Sequence, residues 1–145
     1  MDADQIARLA PNAKAIGIFF SADYCKWCKV FAPKLKMLTP YLRAHNIEII
    51  VAASDKTQEA FDCYTSELPW KALAYDDPIR VKLRSTYDIK TIPALVMIDK
   101  HGNTIDSQCR HTIDNAYDEN DLQTSANNIA SALRLIEYDS ENDDF

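Results

Sequence analysis

Cys25-Lys26-Trp27-Cys28 places two thiols two residues apart, between an apolar run and a helical stripe. Thiols at that spacing at a helix start can close a small ring, so that one attacks a disulfide and the other resolves the product. The first sulfur then meets backbone N–H groups with no partner inside the helix and the positive end of the helix dipole. Such surroundings stabilise thiolate and lower cysteine pKa values to roughly 3.5–7.5. Lys26 and Lys29 add positive charge nearby. Cys25 is expected as the exposed attacking thiolate and Cys28, one turn further in, as the shielded resolving thiol. The same pair could be half of a zinc site, but structural zinc takes four ligands. Cys63 and Cys109 are isolated, His45, His101 and His111 are scattered, and no second CxxC follows. A CxxC between a strand and a helix favours redox chemistry, and no metal site is expected. Cys63 and Cys109 read as small buried or partly buried apolar residues, with a regulatory thiol as the sharper alternative.

Trp27 stands between the two cysteines at a loop–helix junction, so it is expected to be partly exposed and to line a binding surface. Trp70, in Leu68-Pro69-Trp70, suits either the core or the surface. Ile92-Pro93 comes just before an apolar run; a strand-start proline and a cis peptide both fit that place.

The elements that must position these residues alternate. Ala15–Phe20 is a continuous apolar run, the pattern of a strand buried on both faces. Val30, Phe31, Lys34, Leu35, Leu38, Tyr41 and Leu42 follow at mostly helical spacing, up to His45-Asn46. Ile47–Ala53 is a second β-branched strand. Ser54, Asp55 and Thr57 offer caps for a helix through about Tyr64. Asp77-Pro78 starts another, with Pro78 at its first position and Ile79, Leu83 and Tyr87 on one face. Ala94–Asp99 is a third strand, residues 100–103 a turn, and Thr104–Gln108 a fourth strand. Ile129, Leu133 and Ile136 stripe a last helix over about Asp121–Glu137. The order implies an α/β sandwich with a mixed central sheet flanked by helices. One domain over residues 1–137 and an acidic solvated tail over 138–145 are expected.

Composition narrows the function. The chain has 145 residues with 16 basic and 22 acidic side chains, a net charge of −6, which argues against nucleic acid as a partner. Two glycines, Gly17 and Gly102, cannot build a GxGxxG or phosphate-cradling loop. The N-terminus carries two acids and no basic region, and Ala15–Phe20 is too short for a signal core or a membrane span. No membrane association and a reducing, cytoplasmic compartment are therefore expected, where a close cysteine pair is catalytic or metal-binding more often than structural.

Together, Ser21-Ala22-Asp23-Tyr24-Cys25-x-x-Cys28-Lys29, Pro33 in the helix, and Thr91-Ile92-Pro93 before a strand resemble the thioredoxin superfamily. Ile18-Phe19-Phe20-Ser21-Ala22, Phe31-x-Pro33-x-Leu35, and Ser54-Asp55 followed by Leu68-Pro69-Trp70 resemble its tryparedoxin/nucleoredoxin branch. The resemblance spans residues 14–106. It implies a thioredoxin-like three-layer sandwich, no bound cofactor, and reduction of protein disulfides through a mixed disulfide. It makes Cys25 the nucleophile, Cys28 the resolving cysteine and Pro93 a cis-proline beside the disulfide. The Ile92 backbone would pair with an extended substrate, and Trp70 would lie in a loop near the active site. Implied partners are protein disulfides, with peroxiredoxins among the candidates, and a reductase or low-molecular-weight dithiol as electron donor, the chain acting as a monomer. A redox-inactive thioredoxin-like binding module is the alternative.

The departures are specific. Tyr24 replaces the usual Trp before the first cysteine, and Lys26-Trp27 replaces Gly-Pro or Pro-Pro between the two. Phe19 stands where many thioredoxins bury an Asp. A group assisting deprotonation of Cys28 would then come from Asp55, Lys26 or water.

Overall fold

Alternate residues of Ala15–Ser21 (β1) point to opposite faces of a sheet, and all seven are buried. Ala15 and Phe19 join one core, Ile16, Ile18 and Phe20 the other. Burial on both sides is why this segment reads as an unbroken apolar run. The structure, a computed structural model, describes residues 2–135. The remaining elements are α1 (Asp2–Leu9), α2 (Lys26–Ala44), β2 (Ile47–Ala53), α3 (Gln58–Thr65), β3 (Lys71–Ala72), α4 (Ile79–Thr86), β4 (Ala94–Ile98), β5 (Thr104–Asp106), α5 (Cys109–Ala116) and α6 (Leu122–Ala132).

The strands order as β3-β2-β1-β4-β5. β1 runs parallel to β2 with Phe19 opposite Val51, and antiparallel to β4 with Phe20 opposite Ala94. β3 joins parallel to β2, and β5 antiparallel to β4. The sheet is therefore mixed, as expected. On one face Phe31, Leu35, Leu38 and Leu42 of α2 pack with Ile113 of α5, Ile129 of α6 and Phe61 of α3. On the other, Ile6 of α1 and Ile79 and Leu83 of α4 cover Ile18, Phe20, Ile50 and Val96. The result is an α/β sandwich of three layers.

Several boundaries differ from the expectation. The last helix stops at Ala132, where Leu133 is the C-cap and Arg134 takes a left-handed φ of 60°. β5 ends at Asp106, whose Oδ1 accepts from the Gln108 N–H and turns the chain toward α5. Pro78 lies just before α4, and Asp77 Oδ1 accepts the Ile79 N–H at 3.0 Å. Thr57 caps α3 by accepting from Ala60 N. The acidic tail over 138–145 lies outside the described residues.

Candidate active site

The C-terminal ends of the parallel strands β1 and β2 share one end of the sheet, and there the chain leaves β1 for Ala22-Asp23-Tyr24. Ser54 N donates to Ser21 O (2.8 Å), and Cys25 N donates to Ala22 O (3.2 Å). Asp55, just beyond β2, turns inward and accepts the Asp23 N–H on Oδ1 at 2.9 Å. This carboxylate is 2% exposed, and its Oδ2 has no hydrogen-bond partner among the described residues. Two strand ends thus hold the segment that delivers Cys25.

Cys25 is the N-cap of α2, with extended φ and ψ of −92° and 108°. Its sulfur accepts the Cys28 N–H at 3.2 Å, so a thiolate at Cys25 would meet both a backbone donor and the helix dipole. Cys25 and Cys28 are joined as a disulfide, their Cα atoms 5.3 Å apart. They form a small buried cluster with Ala22, against which Ile92 packs. Cys28 is wholly buried, whereas Cys25 is 9% exposed. Cys28 is shielded, but Cys25, for which the sequence leads one to expect exposure, is also buried apart from a small accessible area, because it packs in one cluster with Ala22 and Ile92.

The Ile92-Pro93 peptide is cis. Pro93 is buried and immediately precedes β4, so the β1–β4 register brings it level with Ser21. Ile92 is half-buried.

Around the cysteines the surface combines exposed apolar side chains with charges. Trp27 is 63% exposed and Tyr24 61%. Val30, which the spacing puts on the helical stripe, also faces outward, because Cys28, Phe31, Ala32 and Leu35 take the inward face of α2. Lys26 Nζ lies 5.4 Å over the Trp27 ring. Lys29 pairs with Asp23 at 3.3 Å, so its charge is partly cancelled by a neighbouring carboxylate.

Trp70, which by its own setting suits either the core or the surface and by resemblance a substrate-binding loop near the active site, lies in the core. It is 5% exposed, its ring meets Phe19 edge-on at 5.8 Å, and Nε1 donates to Thr39 Oγ1 at 2.9 Å. The indole finds both its apolar contact and its hydrogen-bond partner inside, so nothing draws it outward. Phe19 also packs on Phe31 of α2 at 5.8 Å, and no carboxylate occupies that position. The buried polar groups of this end lie instead at Asp55 and in a Ser21–Tyr64 hydroxyl pair. Burial pushes the Tyr64 phenol up; the Ser21 hydrogen bond opposes this, and the Asp55 and Asp23 carboxylates add to it.

The other two thiols separate. Cys109 is fully buried at the start of α5, and burial, assisted by the Asp106 carboxylate, pushes its thiol far up. Cys63, which the sequence reads as buried or partly buried, is exposed on α3, because Phe61 and Tyr64 take the inward stripe. The oxidised native protein should therefore release about one equivalent with a thiol reagent at pH 8, from Cys63, and a second only on unfolding. Two fast equivalents would contradict this packing. Among the described residues no group of three or more His, Cys, Asp or Glu side chains gathers as metal ligands. No helix among them is long and apolar enough to cross a membrane.

A thioredoxin-like family model matches residues 12–104. Probable nucleoredoxin 1 of Arabidopsis thaliana is 35% identical over 102 residues, covering 69% of this chain and 18% of that protein. Nucleoredoxin of Homo sapiens is 36% identical over 98 residues, covering 66% and 22%. The chain thus spans about a fifth of the length of these curated relatives. Among solved structures, tryparedoxin II complexed with glutathionylspermidine superposes with a TM-score of 0.69 at 29% identity, covering 74% of this chain and 77% of that one.

Proposed function

Because the chain belongs to the thioredoxin-like family, in its tryparedoxin and nucleoredoxin branch, we propose that it reduces protein disulfides through Cys25 and Cys28. The observation that carries this reading is the paired Cys25–Cys28 at the N-terminus of α2, one sulfur a cap with a little exposure and the other enclosed. In the dithiol form, the Cys25 thiolate attacks one sulfur of the substrate disulfide. That S–S bond breaks, the departing sulfur takes up a proton, and Cys25 is joined to substrate in a mixed disulfide. Cys28, deprotonated, then attacks Cys25 Sγ. The second substrate thiol leaves, and two electrons have passed from the dithiol to the substrate. A reductase or low-molecular-weight dithiol restores the pair. A similar structure holds glutathionylspermidine, which supports counting small thiol compounds among the exchange partners.

Trp27, Tyr24 and Val30 supply an apolar landing surface, and the Ile92 backbone beside Cys25 offers main-chain pairing to an extended segment. Protein disulfides, peroxiredoxins among them, are the substrates in this reading, which also takes the chain as a cytoplasmic monomer.

Equilibration in glutathione redox buffers, with insulin reduction driven by dithiothreitol, tests it. The expected result is a two-electron couple within the reductant range of about −200 to −270 mV, together with turnover. A potential near −120 mV would indicate an oxidant instead. The absence of any couple would leave a redox-inactive binding module.

A further inference from the structure

Three cations converge beside the end of β2, on the α4 side of the sheet. Arg80 is clamped: Nε donates to Tyr75 O at 2.9 Å, and Nη1 to Ala53 O at 2.5 Å and Asp55 O at 3.3 Å. Its guanidinium lies 4.5 Å over the Tyr75 ring. Arg84 Nη1 donates to Ser54 Oγ at 3.2 Å. With Lys56 these side chains line a cavity of about 290 Å³. No carboxylate lies within ion-pair distance of either guanidinium or of Lys56 among the described residues. In a chain of net charge −6, three unneutralised cations around one cavity form a local field of opposite sign to the whole molecule. Asp55 is the single acidic group in the lining; it is buried, with Oδ1 committed to Asp23 and Oδ2 without a hydrogen-bond partner among the described residues, so the three cations outnumber one carboxylate there. The guanidiniums keep free N–H donors, which suit a planar oxyanion.

This cavity adjoins the cysteines through shared backbone. Ser54 N binds Ser21 O, and Asp55 holds Asp23, two residues before Cys25. A second cavity, lined by Asp23, Tyr24, Thr57 and Ala60, shares Asp55 and Lys56 with the first. The two cavities thus adjoin at Asp55 and Lys56, and the second reaches Asp23 and Tyr24, the two residues before Cys25.

We propose that the Lys56–Arg80–Arg84 cavity is an anion subsite that takes an aspartate or glutamate carboxylate from a peptide segment flanking the substrate disulfide, so that the protein prefers acidic disulfides. The inference rests on the disulfide-reductase reading. Arg84 and Lys56 are the residues to vary, because Arg80 also ties three backbone carbonyls.

The test uses two synthetic peptides, each closed by an internal disulfide and differing only in flanking Glu or Gln, with dithiothreitol as donor. Wild type is expected to show the lower KM for the Glu peptide. Arg84→Gln should raise that KM about tenfold, the equivalent of about 1.4 kcal/mol, and Lys56→Gln should raise it several-fold. For both variants kcat, and KM for the Gln peptide, should stay within about twofold. Arg84→Lys should recover part of the loss. Lys100→Gln, in the turn that begins where β4 ends, away from the cysteines, should change nothing. An equal rise in Lys100→Gln would mean a diffuse charge effect and overturn the subsite. Equal wild-type KM values for the two peptides would overturn the subsite alone, and turnover of neither would remove the reductase reading with it.

Discussion

Cys25→Ser is expected to abolish disulfide reduction, by at least about a thousandfold, while Cys28→Ser keeps the first attack and stalls on a covalent adduct. The difference follows from where the two sulfurs sit. Cys25 caps α2 and retains a small exposed area, so a substrate sulfur can approach it; Cys28 has none. Serine is itself a favoured N-cap, and a hydroxyl at position 25 would still accept the Cys28 N–H. Helix α2 therefore starts normally in Cys25→Ser, and the loss is chemical, because an alcohol is not ionised at neutral pH. In Cys28→Ser the attacking thiolate survives, but nothing displaces it from the mixed disulfide. Incubation with an oxidised protein substrate, followed by non-reducing electrophoresis and mass spectrometry, should show a one-to-one adduct through Cys25 that dithiothreitol releases. Iodoacetamide labelling of this variant should rise through a midpoint below the ordinary thiol value of about 8.5. Absence of the adduct, or multiple turnovers by Cys25→Ser, would reverse or remove the assigned roles.

Much of this site is legible in the chain because its signals are local. The CxxC spacing, the apolar run before it and the stripe Phe31, Leu35, Leu38, Leu42 after it place two sulfurs at a helix start without any tertiary information. Trp27 is legible for the same reason. Cys28 belongs to the buried stripe, and its predecessor lies about 100° round the helix, toward solvent. Cys63 could have been read likewise, since Phe61 and Tyr64 at three-residue spacing define the inward face of α3.

The rest depends on contacts distant in sequence. Trp70 is core because Phe19 and Thr39 meet it, and neither is near it in the chain. Asp55 looks like one more cap in Ser54-Asp55-Lys56-Thr57, and its hydrogen bond to Asp23 spans 32 residues. β3 has two residues and gains its identity only from β2. α1 is recognised by the burial of Ile6 under the sheet rather than by a long apolar stripe. Arg80 and Arg84 read as charges on an exposed helix face until the end of β2 is placed against them.

Phe19→Ala should be the most damaging single truncation near the site, costing about 3–5 kcal/mol. Phe19 is fully buried at the centre of β1 and is the shared contact of Phe31 on α2 and Trp70 from the segment before β3. Removing the ring takes away both aromatic contacts and leaves a cavity between the sheet and α2. β1 is held by β2 and β4 on its two edges, so the backbone has little freedom to collapse into the space. For a domain whose total stability is typically about 5–15 kcal/mol, that is a large fraction, and the thermal midpoint should fall by roughly 10–16 °C. Phe19→Leu, which keeps most of the volume, should cost about 1.5 kcal/mol or less. Phe19→Asp carries the chemistry argument. It puts a carboxylate where many thioredoxins bury one, but here its surroundings are the Phe31 and Trp70 rings, and the Trp70 N–H is already given to Thr39. A charge there has no partner, so this variant should be less stable than Phe19→Ala at pH 7 and should recover part of the difference as the pH falls and the carboxyl protonates. Denaturant midpoints of the three variants at pH 5 and pH 7 measure this. A Phe19→Asp protein as stable at pH 7 as Phe19→Ala would mean that the site can solvate a charge, and would return position 19 to the candidates for assisting Cys28.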